Sequence, residues 1–298
     1  MRASEIVARV TAIRAREPQR IREALARRVH RPLLAELGRL FLVAADHPAR
    51  GVLKAGSDPL AMADRGELLR RLVEALARPG VDGVLATPDV VEDLAVLGAL
   101  EGKIALGSMN RGGLAGSTFE LDDRFTAYTV EGIVAAGLDG GKMMLRVADD
   151  DAATLETMAG CARAVDGLAT RRLLAMLEVF AAGRDGSGQV TNDLRPEPMA
   201  RAVTIASGLG TTSAYTWLKL PVIDEMERML AATTLPVVLL GGDPGKDAAE
   251  TFARWERALI APQVRGLVAG RALLYPEDGD VARAVDRAAA VVRKRVSA

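Results

Sequence analysis

The chain has 298 residues, 49% of them hydrophobic, and its 39 lysines and arginines cancel 39 aspartates and glutamates. That balance gives no electrostatic bias toward nucleic acid or an anionic membrane surface, and no apolar run approaches a membrane span, so neither partner is expected. The single cysteine, Cys161, cannot form an internal disulfide, which suits a reducing cytoplasm, and two histidines, His30 and His47, are too few for a histidine-based zinc site.

In chain order, Met1 to about Leu37 is arginine-rich with helical periodicity. Glu5, Glu17, Glu23 and Glu36 argue against a transit peptide, which avoids acids, and no uninterrupted apolar stretch marks a secretion signal. The segment is expected to form helices that cover the lower face of a barrel or an oligomer contact. From Arg39 onward one plan repeats: a short apolar run, a loop, then an amphipathic helical stretch. The apolar runs span residues 40–45, 83–86, 103–107, 141–147, 173–179, 214–220, 235–240 and 265–268. Helical patterns follow at 65–77, 90–100, 122–136, 151–166, 196–207, 223–232, 246–260 and 280–295. Asp89, Asp122 and Asp151 stand at expected N-caps, and Gly102, Gly137 and Gly167 at expected helix stops.

Eight strand-helix units predict an α/β fold, a closed parallel (β/α)8 TIM barrel, with an open doubly wound sheet as the alternative. One domain is expected over 1–298, with 1–38 as a helical extension and 39–298 as the barrel. Helix-to-strand connections are short, whereas strand-to-helix connections at 47–64, 108–121 and 181–195 are long. Long loops therefore gather at the C-terminal ends of the strands, the face that carries active sites in this fold.

Several polar residues stand at those ends. The first run closes with Asp46 and His47, the fourth carries Lys142 and Arg146, the fifth ends in Leu177-Glu178-Val179, and the sixth carries Lys219. Alternation places Tyr215, Trp217 and Lys219 on one face of the sixth run. Lys219 has two readings: a solvated cap where the strand emerges, or a desolvated nucleophile. Asp46, Lys142 and Glu178 have equally plain readings taken singly, as a loop cap, a strand-start charge and an ion-pair partner. Facing inward together, the four would be costly to bury unless they pair.

Imine formation suits such a cluster. A free lysine, with a pKa of about 10.4, is protonated at neutral pH and nucleophilic only when a second cation and a dry setting release its proton. Lys142 is placed to supply that push on Lys219, and Glu178 or Asp46 to carry protons between carbinolamine, imine and enamine. The seventh and eighth runs lead into Gly241-Gly242-Asp243 and Gly270-Arg271, glycine-bearing turns at the recurrent phosphate site of this fold. Arg50, Lys54 and Arg111 are further anion candidates, read in the first instance as solvated loop charges.

These motifs resemble the class I aldolase superfamily of TIM barrels, nearest to the tagatose-1,6-bisphosphate aldolase and deoxyribose-phosphate aldolase-like branch. The matching pieces are Ala44-Ala45-Asp46, Gly141-Lys142-Met143-Met144-Leu145, Leu177-Glu178, Leu218-Lys219-Leu220-Pro221-Val222 and Leu267-Val268-Ala269-Gly270-Arg271. The resemblance implies a cofactor-free and metal-free lyase in which Lys219 forms the Schiff base, Lys142 is the second lysine, Glu178 the proton shuttle and Asp46 a catalytic or hydroxyl-binding carboxylate. Gly241, Gly242, Gly270, Arg271, His47 and Arg50 would bind phosphate and substrate. Asp46-His47 is closer to the Asp-His of archaeal-type fructose-bisphosphate aldolases. Pro221 stands where an acid is usual, and Arg146 where aromatic residues are common. The chain also resembles an actinobacterial branch of aldolase-like barrels associated with inositol catabolism. That implies 5-dehydro-2-deoxyphosphogluconate as substrate, giving dihydroxyacetone phosphate and malonic semialdehyde. The small-molecule partner is thus a phosphorylated sugar or keto-acid, and the basic N-terminal helices are consistent with a homo-oligomer. Alternatives are a transaldolase-like or dehydratase activity through the same imine, or a non-catalytic sugar-phosphate-binding barrel.

Overall fold

Continuous apolar strands need cover on both faces, from helices on both sides of an open sheet or from helices outside and the sheet itself inside a closed one. A computed structural model, which describes residues 1–34, 38–242 and 248–294, meets that demand with a closed parallel barrel. Its strands are β1 (Leu40–Ala44), β2 (Gly83–Ala86), β3 (Ile104–Ser108), β4 (Gly140–Val147), β5 (Leu174–Arg184), β7 (Thr216–Leu220), β8 (Val237–Leu240) and β9 (Val264–Ala269). The order β4-β3-β2-β1-β9-β8-β7-β5 is closed by the β4–β5 pairing. β6 (Val190–Asn192) lies outside the barrel, as the antiparallel partner of the end of β5. All eight predicted strands are present.

Alternation divides each strand between two cores. Leu40, Leu42, Ala44, Leu85, Ile104, Leu106, Met176, Trp217, Val238 and Val268 fill the barrel interior. Phe41, Val43, Val84, Met143, Leu145, Leu218 and Leu220 face outward onto the helices. The outer ring contains α3 (Arg65–Leu76), α4 (Pro88–Val96), α5 (Val130–Ala135), α6 (Ala153–Thr170), α7 (Pro196–Ser207), α8 (Met226–Leu230), α9 (Ala248–Ala258), α10 (Arg271–Leu274) and α11 (Val281–Arg293). None of the described helices is long and apolar enough to cross a membrane.

The N-terminal segment forms α1 (Ala3–Arg16) and α2 (Gln19–Ala26), which flank the ring. Arg14 bonds Asp93 at 2.8 Å and Glu92 at 3.0 Å on α4. The lower face is closed by the segment that follows. Arg28 donates to the carbonyls of Lys103 (2.8 Å) and Gly137 (3.1 Å) and to Asp139 (3.2 Å), while Leu33 packs against the interior cluster.

Local expectations fail where a residue's partner is distant. The helix predicted over 122–136 is confined to α5; residues 122–129 are not helical, and Asp123 among them is fully buried at the barrel mouth against Arg146 and Arg50. Asp122 therefore caps nothing. The cap of α4 is Thr87, with Pro88 at the first position, and Asp89 accepts from the Thr87 hydroxyl at 2.6 Å. Asp151 accepts from the Ala153 amide beside the start of α6. Gly167 lies within α6, packed against Val130, rather than ending it. Gly102 and Gly137 do have the left-handed backbone expected of helix stops. The loop predicted over 181–195 is largely the β5–β6 hairpin. Glu36, Asp243, Lys246 and Arg295 lie outside the described residues.

Glycine at position 83 is forced by the sheet, since a Cβ there would stand 1.9 Å from the Ile104 carbonyl oxygen on the neighbouring strand. Gly83→Ala is expected to destabilise the protein by about 1–3 kcal/mol through overpacking, measured by urea denaturation. An unchanged midpoint would show that β2 and β3 can separate freely.

Candidate active site

Register sets the site. Lys219 on β7 pairs with Glu178 on β5, which pairs with Met144 on β4, so these three share a layer. Lys142 lies one inward step lower, opposite Met176, and reaches upward. Arg146 lies one step higher, opposite Phe180, at the rim. Asp46 follows β1 directly and enters from the other side.

The side chains form one connected set. Glu178 binds Lys219 Nζ at 2.7 Å through Oε1 and Lys142 Nζ through Oε2. Lys142 Nζ also donates to Asp46 Oδ2 at 3.0 Å, and that oxygen accepts from Ser108 Oγ at 3.0 Å and Arg111 Nη1 at 2.5 Å. Lys142 is fully buried and Lys219 is 2% exposed, which removes the reading of Lys219 as a solvated cap. His47 Nδ1 lies 3.9 Å from Asp46 Oδ1.

All ten residues expected in the site line one cavity of about 250 Å³: Asp46, His47, Arg50, Lys142, Glu178, Lys219, Gly241, Gly242, Gly270 and Arg271. Two of the glycines are there for space and one for its backbone conformation. A Cβ at Gly241 would stand 2.6 Å from that of Ala269, one at Gly270 would stand 2.3 Å from the Ala44 carbonyl, and Gly242 has φ of +69°. Arg50 and Arg111 correct the expectation of solvated loop charges: both are buried, and only Lys54 is exposed. Arg50 donates to the Gly113 carbonyl at 2.9 Å and contacts Asp123 at 3.2 Å.

Sequence reasoning missed Ser108, Asp123, Glu120, Phe180 and Asn192. Ser108 ends β3 and could have been found by the strand-end rule that found Asp46. Asp123 carries no local signal. It binds Arg146 through Nε at 2.8 Å and Nη2 at 2.9 Å, although Arg146 lies 23 residues away. The loop bearing Asp123 is pinned by Asn110, whose side chain donates to the Met144 carbonyl at 2.6 Å and accepts from the Met144 amide at 2.7 Å.

Charge state follows from burial and neighbours. Burial raises the pKa of Glu178, but Lys142 and Lys219 outweigh it and hold the carboxylate below its usual range. Asp46 is likewise raised by burial but held well below its usual value by Lys142, Arg111 and Lys219. Burial lowers Lys142 against the pull of Asp46 and Glu178. His47, pushed down to about 3 chiefly by burial, is neutral across the physiological range. Among the described residues no group of three or more His, Cys, Asp or Glu side chains could hold a metal ion.

Residues 38–289 match the Cgl0159-like family model. The chain belongs to the Cgl0159-like family. Cgl0159 from Corynebacterium glutamicum is 52% identical, with a TM-score of 0.93 over 97% of each chain. More distant structural similarities, to proteins outside that description, show the barrel fold. An archaeal fructose 1,6-bisphosphate aldolase is 20% identical with a TM-score of 0.66, covering 91% of this chain and 98% of its own. The fructose-bisphosphate aldolase of Slackia heliotrinireducens is 16% identical with a TM-score of 0.68, covering 86% and 81%. No curated protein sequence matches.

Removing the bridging carboxylate leaves two ammonium groups without their shared partner. Glu178→Gln is expected to cost about 3–5 kcal/mol at pH 7, the range for breaking a buried ion pair from one side. A depressed carboxylate pKa stabilises the fold fully above the unfolded value of about 4.3 and loses that contribution as pH falls through the folded value. The gap between wild type and variant should therefore be constant above that pH and shrink below it, read from urea midpoints. A gap that widens on acidification would contradict the pairing.

Proposed function

We propose that the protein is a class I aldolase that cleaves or forms a carbon-carbon bond in a phosphorylated ketose or keto-acid through an imine on Lys219. The observation that carries this reading is a buried lysine held by a carboxylate that also holds a second lysine, at the C-terminal mouth of a parallel barrel. The structural likeness to fructose-bisphosphate aldolases, one of them described as Schiff-base forming, supports the same general chemistry.

Glu178 Oε1 lies at hydrogen-bond distance from Lys219 Nζ and takes the proton that must leave before the amine attacks a carbonyl carbon. The carbinolamine then loses water, with a proton returned to the departing hydroxyl, and a positively charged imine remains. Removal of a proton from the hydroxyl on the β carbon, the far end of the breaking bond, expels that carbon as an aldehyde and sends the bonding electrons into the imine as an enamine. Asp46, across the cavity and bonded to Ser108 and Arg111, serves as the carboxylate on that side. Lys142 keeps both carboxylates ionised and fixed in place. The turns at Gly241-Gly242 and Gly270-Arg271 hold phosphate, with His47 and Arg50 as further substrate contacts. Within this class 5-dehydro-2-deoxyphosphogluconate, and with it a role in inositol catabolism, is the specific substrate favoured by the sequence resemblance.

Borohydride reduction in the presence of dihydroxyacetone phosphate is expected to add the triose phosphate to Lys219, located by peptide mass mapping, and Lys219→Met to abolish it. A label on Lys142 would exchange the two lysines, and no label with any phosphorylated carbonyl compound would end the imine mechanism. Glu178→Gln is expected to lower turnover by about 10²–10⁴-fold, the usual contribution of a positioned acid-base group.

A further inference from the structure

Arg146 and the Gly270-Arg271 turn stand on β4 and after β9, four strands apart in either direction around the barrel, and so face each other across the mouth. Along one wall between them come Glu178 on β5, Lys219 on β7 and Gly241-Gly242 after β8. A ligand with its phosphate at the glycine turns and its reacting carbon at Lys219 therefore extends toward Arg146. There Arg146 and Arg50, each 5% exposed, line the cavity beside Phe180 and Asn192.

We propose that Arg50 and Arg146 form a second anion clamp for a terminal carboxylate, so that the substrate is a phosphorylated keto acid charged at both ends. This rests on the aldolase reading for the placement of the reacting carbon. Five buried cations of the mouth, Arg50, Arg111, Lys142, Arg146 and Lys219, face three buried carboxylates, Asp46, Asp123 and Glu178. Buried charge in such excess favours an anionic ligand. Asp123 takes Nε and Nη2 of Arg146 and contacts Nη2 of Arg50. The remaining Nη1 groups are held less well: that of Arg146 lies 3.6 Å from Glu120 Oε1, and that of Arg50 lies against the Met144 sulfur. Two donor ends from two guanidinium planes match the two oxygens of a carboxylate. Asp123 and Glu120 repel any anion there, a phosphate dianion about twice as strongly as a carboxylate monoanion. Asp123 is the positioning residue, since it holds both guanidinium groups and is itself fully buried.

Acyclic ligands that lack a ketone or aldehyde test the clamp without imine chemistry, so this outcome is separate from that of borohydride trapping. In calorimetric titrations of the full chain, 6-phosphogluconate is expected to bind about tenfold or more tightly than glucitol 6-phosphate, which differs only in carrying a hydroxymethyl group for the carboxylate. In Arg146→Gln the two affinities should converge. Equal affinities in the wild type, no measurable binding of either ligand, tighter binding of glucitol 1,6-bisphosphate than of 6-phosphogluconate, or an unchanged gap in Arg146→Gln would each overturn the proposal. Should that variant fail to fold, Arg50→Lys replaces it, and the wild-type comparison decides by itself.

Discussion

Two ammonium groups in the interior of a barrel can coexist only with carboxylates beside them, and one, Glu178, stands between both. Desolvation of each charge costs several kcal/mol after relaxation, and the attraction to Glu178 offsets that only at close, hydrogen-bonded geometry. The requirement fixes the architecture around it. β5, which carries Glu178, is the strand that pairs with both β4 and β7, so closure of the sheet at β4–β5 is what brings Lys142 to the carboxylate already beside Lys219. An open sheet ending at β4 and β5 would leave the two lysines without a common partner. Closure and reactivity are thus one geometric condition.

The chain is neutral overall, yet its mouth is not. Formal charges cancel across 298 residues, whereas the buried part of the site holds more cations than carboxylates. Helix surfaces carry exposed pairs such as Arg257–Glu250 and Arg228–Glu197. Those pairs contribute little to stability. Charges paired in place on the helices do not cancel the excess of buried cations at the mouth, which an approaching anion meets.

The barrel was legible because its information is local. Eight apolar runs bounded by glycine and polar residues identify the strands, and α7 coincides with the pattern over 196–207. Lys142, Glu178 and Lys219 were also legible, since a charge at an inward position of an otherwise apolar strand is a local anomaly. The environment of the arginines was not. Arg50 and Arg111 look like ordinary loop charges until folding brings Gly113, Asp123 and Asp46 to them, and Arg111 finds Asp46 across 65 residues of chain. Asp123 was the hardest case. Its helix-like surroundings predicted α-helix, whereas the contacts that hold the irregular backbone there, Arg146 and Arg50 on Asp123 and Asn110 on the Met144 backbone, all come from afar.

Arg28 sits at the opposite pole of the molecule. Its guanidinium gathers the chain just before β3 and β4, Leu33 plugs the adjoining opening, and Leu40, Leu42, Ile104, Leu106, Met176 and Trp217 fill the interior beneath Lys142. The vessel is therefore stoppered at one end. A long ligand lying across the mouth at the other end must leave, or break into shorter pieces, before the next can take its place.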